Sequence, residues 1–258
     1  GVIERVRKVT DKPIKYVLLT HYHAVRVLGA SAYQDAEILA SDVTRGQIVE
    51  RGQQDMDSEI GRFPRLFRAV ESIPGLTWPT VTFPDQTSIW LGKREVRIMH
   101  VGRGHTAGDV IAYVPDADVV FSGDLVEYRS ACYCGDAHFT DWPATLEILS
   151  EMQANALVPG RGAALLNPQM VSEGIALTSD FISTLYGSVQ ESVAKGRSLK
   201  DAFDFARLAM DQKFKTFAIY EHCLPFNVSR AYDEARGIEW PVIWTAERDR
   251  ELWAALQS

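Results

Sequence analysis

Two histidines, His21 and His23, stand one residue apart in "THYHAVR" (20–26), directly after an apolar run. If the chain is extended there, both imidazoles leave it on the same side. A third, His105, lies in the glycine-rich stretch "GRGHTAGD" (102–109), and Asp124 follows an apolar run in "VVFSGDL" (119–125). Neutral imidazole is a good ligand for zinc or iron, and a carboxylate suits either metal. The chemistry such a set could do is metal-assisted: hydrolysis on a zinc ion, or oxygen chemistry on Fe(II). Where further ligands would follow the histidine pair, the chain has Val25 and Arg26, and a second arginine, Arg161, sits in "PGRG" (159–162). Arginine keeps its proton at any working pH, and its planar fork suits a carboxylate or a phosphate-like group.

The elements around these residues explain how they could meet. "IKYVLLT" (14–20) reads as a strand buried on both faces. Strand-like runs follow at 95–101, 109–114, 118–122 and 156–158, with a helix-like "PATLEILSEMQ" before the last. Three histidines and one aspartate at the strand–loop junctions of one sheet can converge on one point. Residues 42–73 are polar with scattered apolar positions and read as helix or loop, in the place of a flap over a site. After about residue 165 the apolar period changes from 2 to 3.6. Asn167 reads as an N-cap with Pro168 behind it, and Ser198-x-x-Asp201 as a capping box. The expected fold class is therefore α/β, with a helical C-terminal part.

The chain has 258 residues, with 27 Lys and Arg against 34 Asp and Glu, a net charge of −7. That balance offers no electrostatic footprint for nucleic acid or an anionic membrane surface. No apolar run of the roughly 18 residues a membrane span needs occurs. Cys132, Cys134 and Cys223 form no disulfide framework and fit a reducing compartment, so a cytoplasmic location is the default expectation. The expected partner is a small-molecule substrate, with a homodimer as a further option if a bare sheet edge is covered by a second chain.

Taken together, "THYHAVR", "GHTAGD", "SGDL" and "PGRG", in that order, resemble the motifs of the metallo-β-lactamase superfamily: THxHxDH, GHTxG, a GD turn and PGHG. The likeness covers roughly residues 14–162. It implies an αββα sandwich core over residues 1–165, with residues 166–258 as a mostly helical part packed on it. Family members carry strands before the first motif, so the resemblance implies a further N-terminal piece. It also implies that His21, His23 and His105 hold one metal and that Asp124 reaches it.

The departures from the family pattern carry information. The second metal's own ligands would stand at Val25, Arg26 and Arg161, and none of the three can serve. Loss confined to one site reads as one metal kept and the other replaced. A second divalent ion with its aspartate would bring one net positive charge; the two arginines bring two. They would either hold Asp124 or grip an acidic substrate. Asp124, Arg26 and Arg161 are thus the expected catalytic residues, with one Zn2+ per chain, or Fe2+ as the alternative. The leading function is a mononuclear zinc hydrolase of a small ester, lactone, amide or thioester. An iron oxygenase of the same superfamily is the second reading, and a non-catalytic binding protein on this fold the third. Tyr133 and His138 in "SACYCGDAHFTDW" (130–142) and His222 in "YEHCLPFNVSRAYDEA" (220–235) are weaker candidates for lining the pocket. Cys132 and Cys134 lack the second pair that a separate metal site needs. His100, inside a strand, reads as core.

Overall fold

The computed structural model describes residues 1–62 and 67–257. A short helix α1 (Val2–Arg7) leads to a three-stranded parallel sheet, β1 (Tyr16–Leu18), β2 (Glu37–Ser41) and β3 (Val81–Phe83). Between them lie the one-turn helix α2 (Ala24–Val27) and the long α3 (Asp42–Arg62). The second sheet has five strands in sequential order: β4 (Gln86–Leu91), β5 (Arg94–Met99), β6 (Ile111–Val114), β7 (Val119–Glu127) and β8 (Ala156–Arg161). Its pairings are antiparallel until β7–β8, which run parallel because α4 (Trp142–Glu151) makes the crossover. The rest is helical: α5 (Pro168–Ala194), α6 (Leu199–Phe214), α7 (Tyr220–Ala235) and α8 (Ala246–Gln257). No helix among the described residues is long and apolar enough to cross a membrane.

A small apolar cluster of Leu39, Phe83, Ile98 and Val110 ties the two sheets together. The larger core runs without interruption from Ile111 through the crossover to Leu256 on α8, so the helices close the open face of the second sheet. The caps read from the sequence form: Asn167 accepts from the Met170 amide at 2.9 Å and Ser198 from that of Asp201 at 3.1 Å. Each satisfies an amide that the first helical turn leaves without an internal partner.

Two expectations need correction. The stretch 14–20 is not a strand buried on both faces. β1 has only three residues, lies at a sheet edge, and leaves Tyr16 42% exposed. Its apolar residues are spent on the loop into the site instead, where Leu19 is buried. The polar stretch after residue 42 is no flap either. Its first 21 residues form α3, which buries Gln47, Ile48, Arg51 and Asp55. Polar groups there face partners inside the protein, which is why no apolar stripe marks the helix; residues 63–66 lie outside the described residues.

Candidate metal centre

The site forms where the two sheets meet, rather than at the edge of one sheet. His21 follows β1, whose exit is pinned by the Val110 amide donating to the Thr20 carbonyl at 2.9 Å. His23 is the N-cap residue of α2, and the carboxylate of Asp55 on α3 accepts from the next amide, Ala24, at 2.6 Å. His105 sits on the loop between β5 and β6. Asp109 closes that loop by accepting from the Thr106 amide and hydroxyl at 2.8 and 2.7 Å. Ser41 and Thr44 each donate to the Gly108 carbonyl at 2.8 Å.

These anchors bring the ligand atoms of His21, His23 and His105 within 4.8 Å of one another, all three residues buried. No other such group occurs among the described residues. Nδ1 of His23 and Nε2 of His105 are 3.0 Å apart, and Nε2 of His21 is buried with no hydrogen-bond partner. A buried imidazole nitrogen without a partner is costly unless something occupies its lone pair. Three imidazole nitrogens facing one point, one of them without a partner and each on a group that binds zinc or iron when neutral, fit a metal ion. Burial favours that neutral form. It drives His21 well below the ordinary value and His105 down to about 3. His23 differs: burial lowers it too, but its hydrogen bond to Asp136 and that carboxylate's charge outweigh burial and raise it.

Asp124 stands beside the triad, its Oδ2 3.8 Å from Nε2 of His21 and 3.7 Å from Nε2 of His105. The two arginines that stand in place of further ligands both hold this carboxylate. Arg26 donates to Asp124 Oδ1 at 2.6 Å, and Arg161 to Oδ2 at 2.8 Å. Close backbone approaches make this possible. Gly123 adopts φ +54°, and a Cβ there would lie 2.9 Å from the Thr20 side chain. A Cβ on Gly160 would lie 2.3 Å from Asp124 Oδ1. Burial alone would raise the Asp124 pKa. The rings of His21 and His105, then Arg161 and Arg26, outweigh it and hold the carboxyl well below the usual range.

Sequence reasoning overlooked Glu127, which accepts from the same Arg161 Nη1 at 2.6 Å. Its only signal was position. It lies opposite Arg161 in the β7–β8 register, after an irregularity that turns the strand inward. Burial and the charge of Asp124, opposed by Arg161, push Glu127 up to about 8. The sign of its effect on stability follows. Between its ordinary 4.5 and about 8 the folded chain holds a proton that the unfolded chain has released, so stability falls as pH rises. Below 6.5 His21 and His105 act oppositely, because the folded chain binds fewer protons on them than the unfolded chain does. His23, whose pKa is raised, has the same sign as Glu127. Asp109, raised by burial to about 7, shares the carboxyl's sign up to that pH. From pH 7 to 8 Glu127 contributes a loss of up to about 1 kcal/mol, with His23 acting in the same direction. Thermal melts of metal-free protein should show a loss there that is smaller in Glu127→Gln by that amount.

Asp136 was also overlooked. It accepts from, or shares a proton with, His23 Nε2 at 3.0 Å, and Arg51 Nη1 lies 3.4 Å from its other oxygen. The remaining candidates are placed as follows. The half-buried Tyr133 packs its ring against His23, centroids 5.4 Å apart. His138 packs on Trp240 at 5.7 Å and lines a separate pocket of about 280 Å³ with Arg103, Asp141 and Glu234. His222 lies against Phe226 at 5.7 Å, in a cleft of about 470 Å³ with Arg62 and Trp253. Neither histidine joins the triad. Cys132 and Cys134 are buried thiols whose pKa values burial raises. His100 is half-buried and bonds the Asp109 carbonyl through Nδ1 at 2.7 Å.

The sequence pattern of the metallo-β-lactamase superfamily matches residues 2–161, more than half of the chain. The chain belongs to that superfamily. It is 24% identical over 232 residues to a linear primary-alkylsulfatase of Pseudomonas sp. (strain ATCC 19151), covering 76% of this chain and 43% of that protein. It is 24% identical over 166 residues to a metallo-β-lactamase type 2 of Bacillus sp. (strain 170), covering 62% and 56% respectively. To an acyl-coenzyme A thioesterase of Bos taurus it is 31% identical over 128 residues, covering 49% and 44%. The chain thus spans about half the length of these relatives. Among solved structures, a metallo-β-lactamase from Pontibacter korlensis superposes with a TM-score of 0.53 at 22% identity, over 69% of this chain and 75% of that one. This likeness extends to the fold.

Proposed function

We propose that this protein is a metal-dependent hydrolase with a single zinc ion on His21, His23 and His105, acting on a small anionic ester or thioester. The observation that carries the reading is the convergence of three buried imidazoles on one point, with a carboxylate beside them held by two fixed cations. A zinc ion bound there supplies Lewis acidity and a water whose pKa is drawn toward about 7.

The chain's own residues do the rest. Asp124, with a depressed pKa, serves as an acceptor that orients a water at Oδ2; it is too weak a base to keep a proton. Arg26 and Arg161, 31% and 28% exposed along their side chains, each carry more N–H donors than their bonds to Asp124, Gly160 and Glu127 use. Those donors suit a substrate carboxylate or sulfate, or negative charge developing on an acyl oxygen. The relatives include proteins named as a lactamase, an alkylsulfatase and an acyl-coenzyme A thioesterase, which supports a hydrolase reading.

The test is metal content of protein purified without added metal or chelator, followed by assays on ester, thioester and sulfate-ester substrates. The expected result is about one zinc per chain and hydrolysis that a chelator abolishes and zinc restores. One iron with oxygen consumption would replace this reading by an oxygenase, and no metal uptake would reject both.

A further inference from the structure

The side chains around the metal-binding imidazoles do not stop at the stretch that matches the superfamily. We infer that Asp136 is the outer partner that holds His23 for the metal, and that Trp244 and Arg230, from the helical C-terminal part, hold Asp136. The inference rests on the proposed metal centre and concerns the residues that position one of its ligands.

The His23 ring has two nitrogens with distinct jobs. Nδ1 faces His105 and the point where the triad converges, while Nε2 faces Asp136 Oδ2 at 3.0 Å. A proton on Nε2, bonded to the carboxylate, leaves the Nδ1 lone pair for a metal and makes it a stronger donor. Neither of the other two rings has a carboxylate of this kind behind it. His21 Nδ1 meets its neighbour Thr20 Oγ1 at 3.1 Å, and His105 Nδ1 is buried without a partner.

Asp136 is 1% exposed, so its charge must be met inside the protein. Besides His23 it has the Tyr22 hydroxyl and the Arg51 guanidinium, which lower its pKa against the opposing effect of burial. Arg51 in turn donates to the Pro241 carbonyl at 3.0 Å and stacks over Tyr22 and Trp240 at 5.9 and 5.5 Å. This is a closed network, and a carboxylate left with fewer of these bonds would no longer be fixed in place behind the ring.

The backbone on both sides of Asp136 is tied down by the C-terminal part. The Gly135 carbonyl accepts from the Trp244 indole at 3.0 Å, and the Ala137 carbonyl from Arg230 Nε at 2.7 Å. Two residues earlier, Asn227 brackets the chain by donating to the Cys132 carbonyl and accepting from the Cys134 amide, both at 2.7 Å. Arg230 is wholly buried and ties the same loop to the Ile238 and Glu239 carbonyls. Residues 227–244 thus set the position of a carboxylate that sets the ring of a metal ligand 113 positions before it.

The test measures zinc affinity by competition with a chromophoric chelator, and the cobalt(II) spectrum, on the full chain. Asp136→Asn keeps the side chain's shape and removes its charge. It should weaken zinc binding by roughly 10–100-fold. Because Arg51 and His23 also lose a buried partner, the metal-free variant melts lower, and affinity is compared at a temperature where both proteins are folded. Trp244→Phe removes the indole donor along with part of a buried ring, and should weaken binding by a smaller factor and shift the cobalt bands. A folded Asp136→Asn that binds zinc within about threefold of wild type would overturn the inference. If that variant does not fold, Trp244→Phe decides, and unchanged affinity with an unchanged cobalt spectrum overturns it. Should the wild type take up no metal, the functional reading fails by itself. The imidazole NMR signals of metal-free protein then decide: a downfield His23 Nε2 proton that moves in Asp136→Asn upholds the positioning role, and one that does not move ends it.

Discussion

In His105→Ala, zinc should no longer raise the melting temperature. For wild type, metal present at about a thousand times its dissociation constant should add roughly 4 kcal/mol to the stability. His105 would supply one of three ligand atoms, and its Nε2 lies 3.0 Å from Nδ1 of His23. Its loss should exceed the roughly 10–100-fold effect of losing an outer partner. The metal-free variant should fold, because this ring adds little to the apo protein. It is buried, its Nδ1 has no partner, and its pKa is pressed down to about 3. Stability is given up at this position for a group that a metal repays. Calorimetry with and without zinc measures both effects. Equal zinc-dependent stabilisation in variant and wild type would remove His105 from the centre.

Arg161→Met should have the largest effect on the metal-free fold. One guanidinium nitrogen holds Asp124 at 2.8 Å and Glu127 at 2.6 Å, and both carboxylates are nearly inaccessible. Removing one partner of a buried ion pair costs about 3–5 kcal/mol, because the charge left behind has neither water nor counterion. In a chain of this size that is a fall in melting temperature on the order of 10 °C. The cost should grow with pH, since Glu127 can escape its lost partner by keeping a proton at low pH and cannot at high pH. Arg26→Met should cost less, since that side chain is 31% exposed and Asp124 would keep Arg161. Denaturant unfolding at pH 6 and pH 9 checks the order. A loss below about 1 kcal/mol for Arg161→Met at pH 9 would mean that the two carboxylates are not held as described.

Part of this centre was legible because the family's first metal needs imidazoles at fixed intervals along the chain. His21, His23 and His105 sit just after strands, and strand ends are where side chains can point at one place. The arginines were legible by contrast, as cations standing where ligands would stand. Their target was open on sequence grounds between Asp124 and a substrate. The structure has both arginines on Asp124, with donors remaining.

Glu127 and Asp136 were not legible. An acidic residue in "SGDLVE" or "CYCGDAHF" carries no local mark of its partner. Glu127 becomes a site residue only because an irregular parallel pairing sets it opposite Arg161. Asp136 becomes one only because α7 and the segment after it close over the loop that carries it. Similarly, α3 looked like surface material because its buried groups are Arg51, Asp55 and Gln47, whose partners lie far along the chain. The amino-acid sequence by itself determined the α/β class and the helix caps, which rest on local spacing or on bonds within one turn, and its ordered motifs singled out the three imidazoles that converge. The tertiary structure alone decided which carboxylates face them and which sheets meet there, because a buried charge takes its partner from whatever chain packing brings beside it.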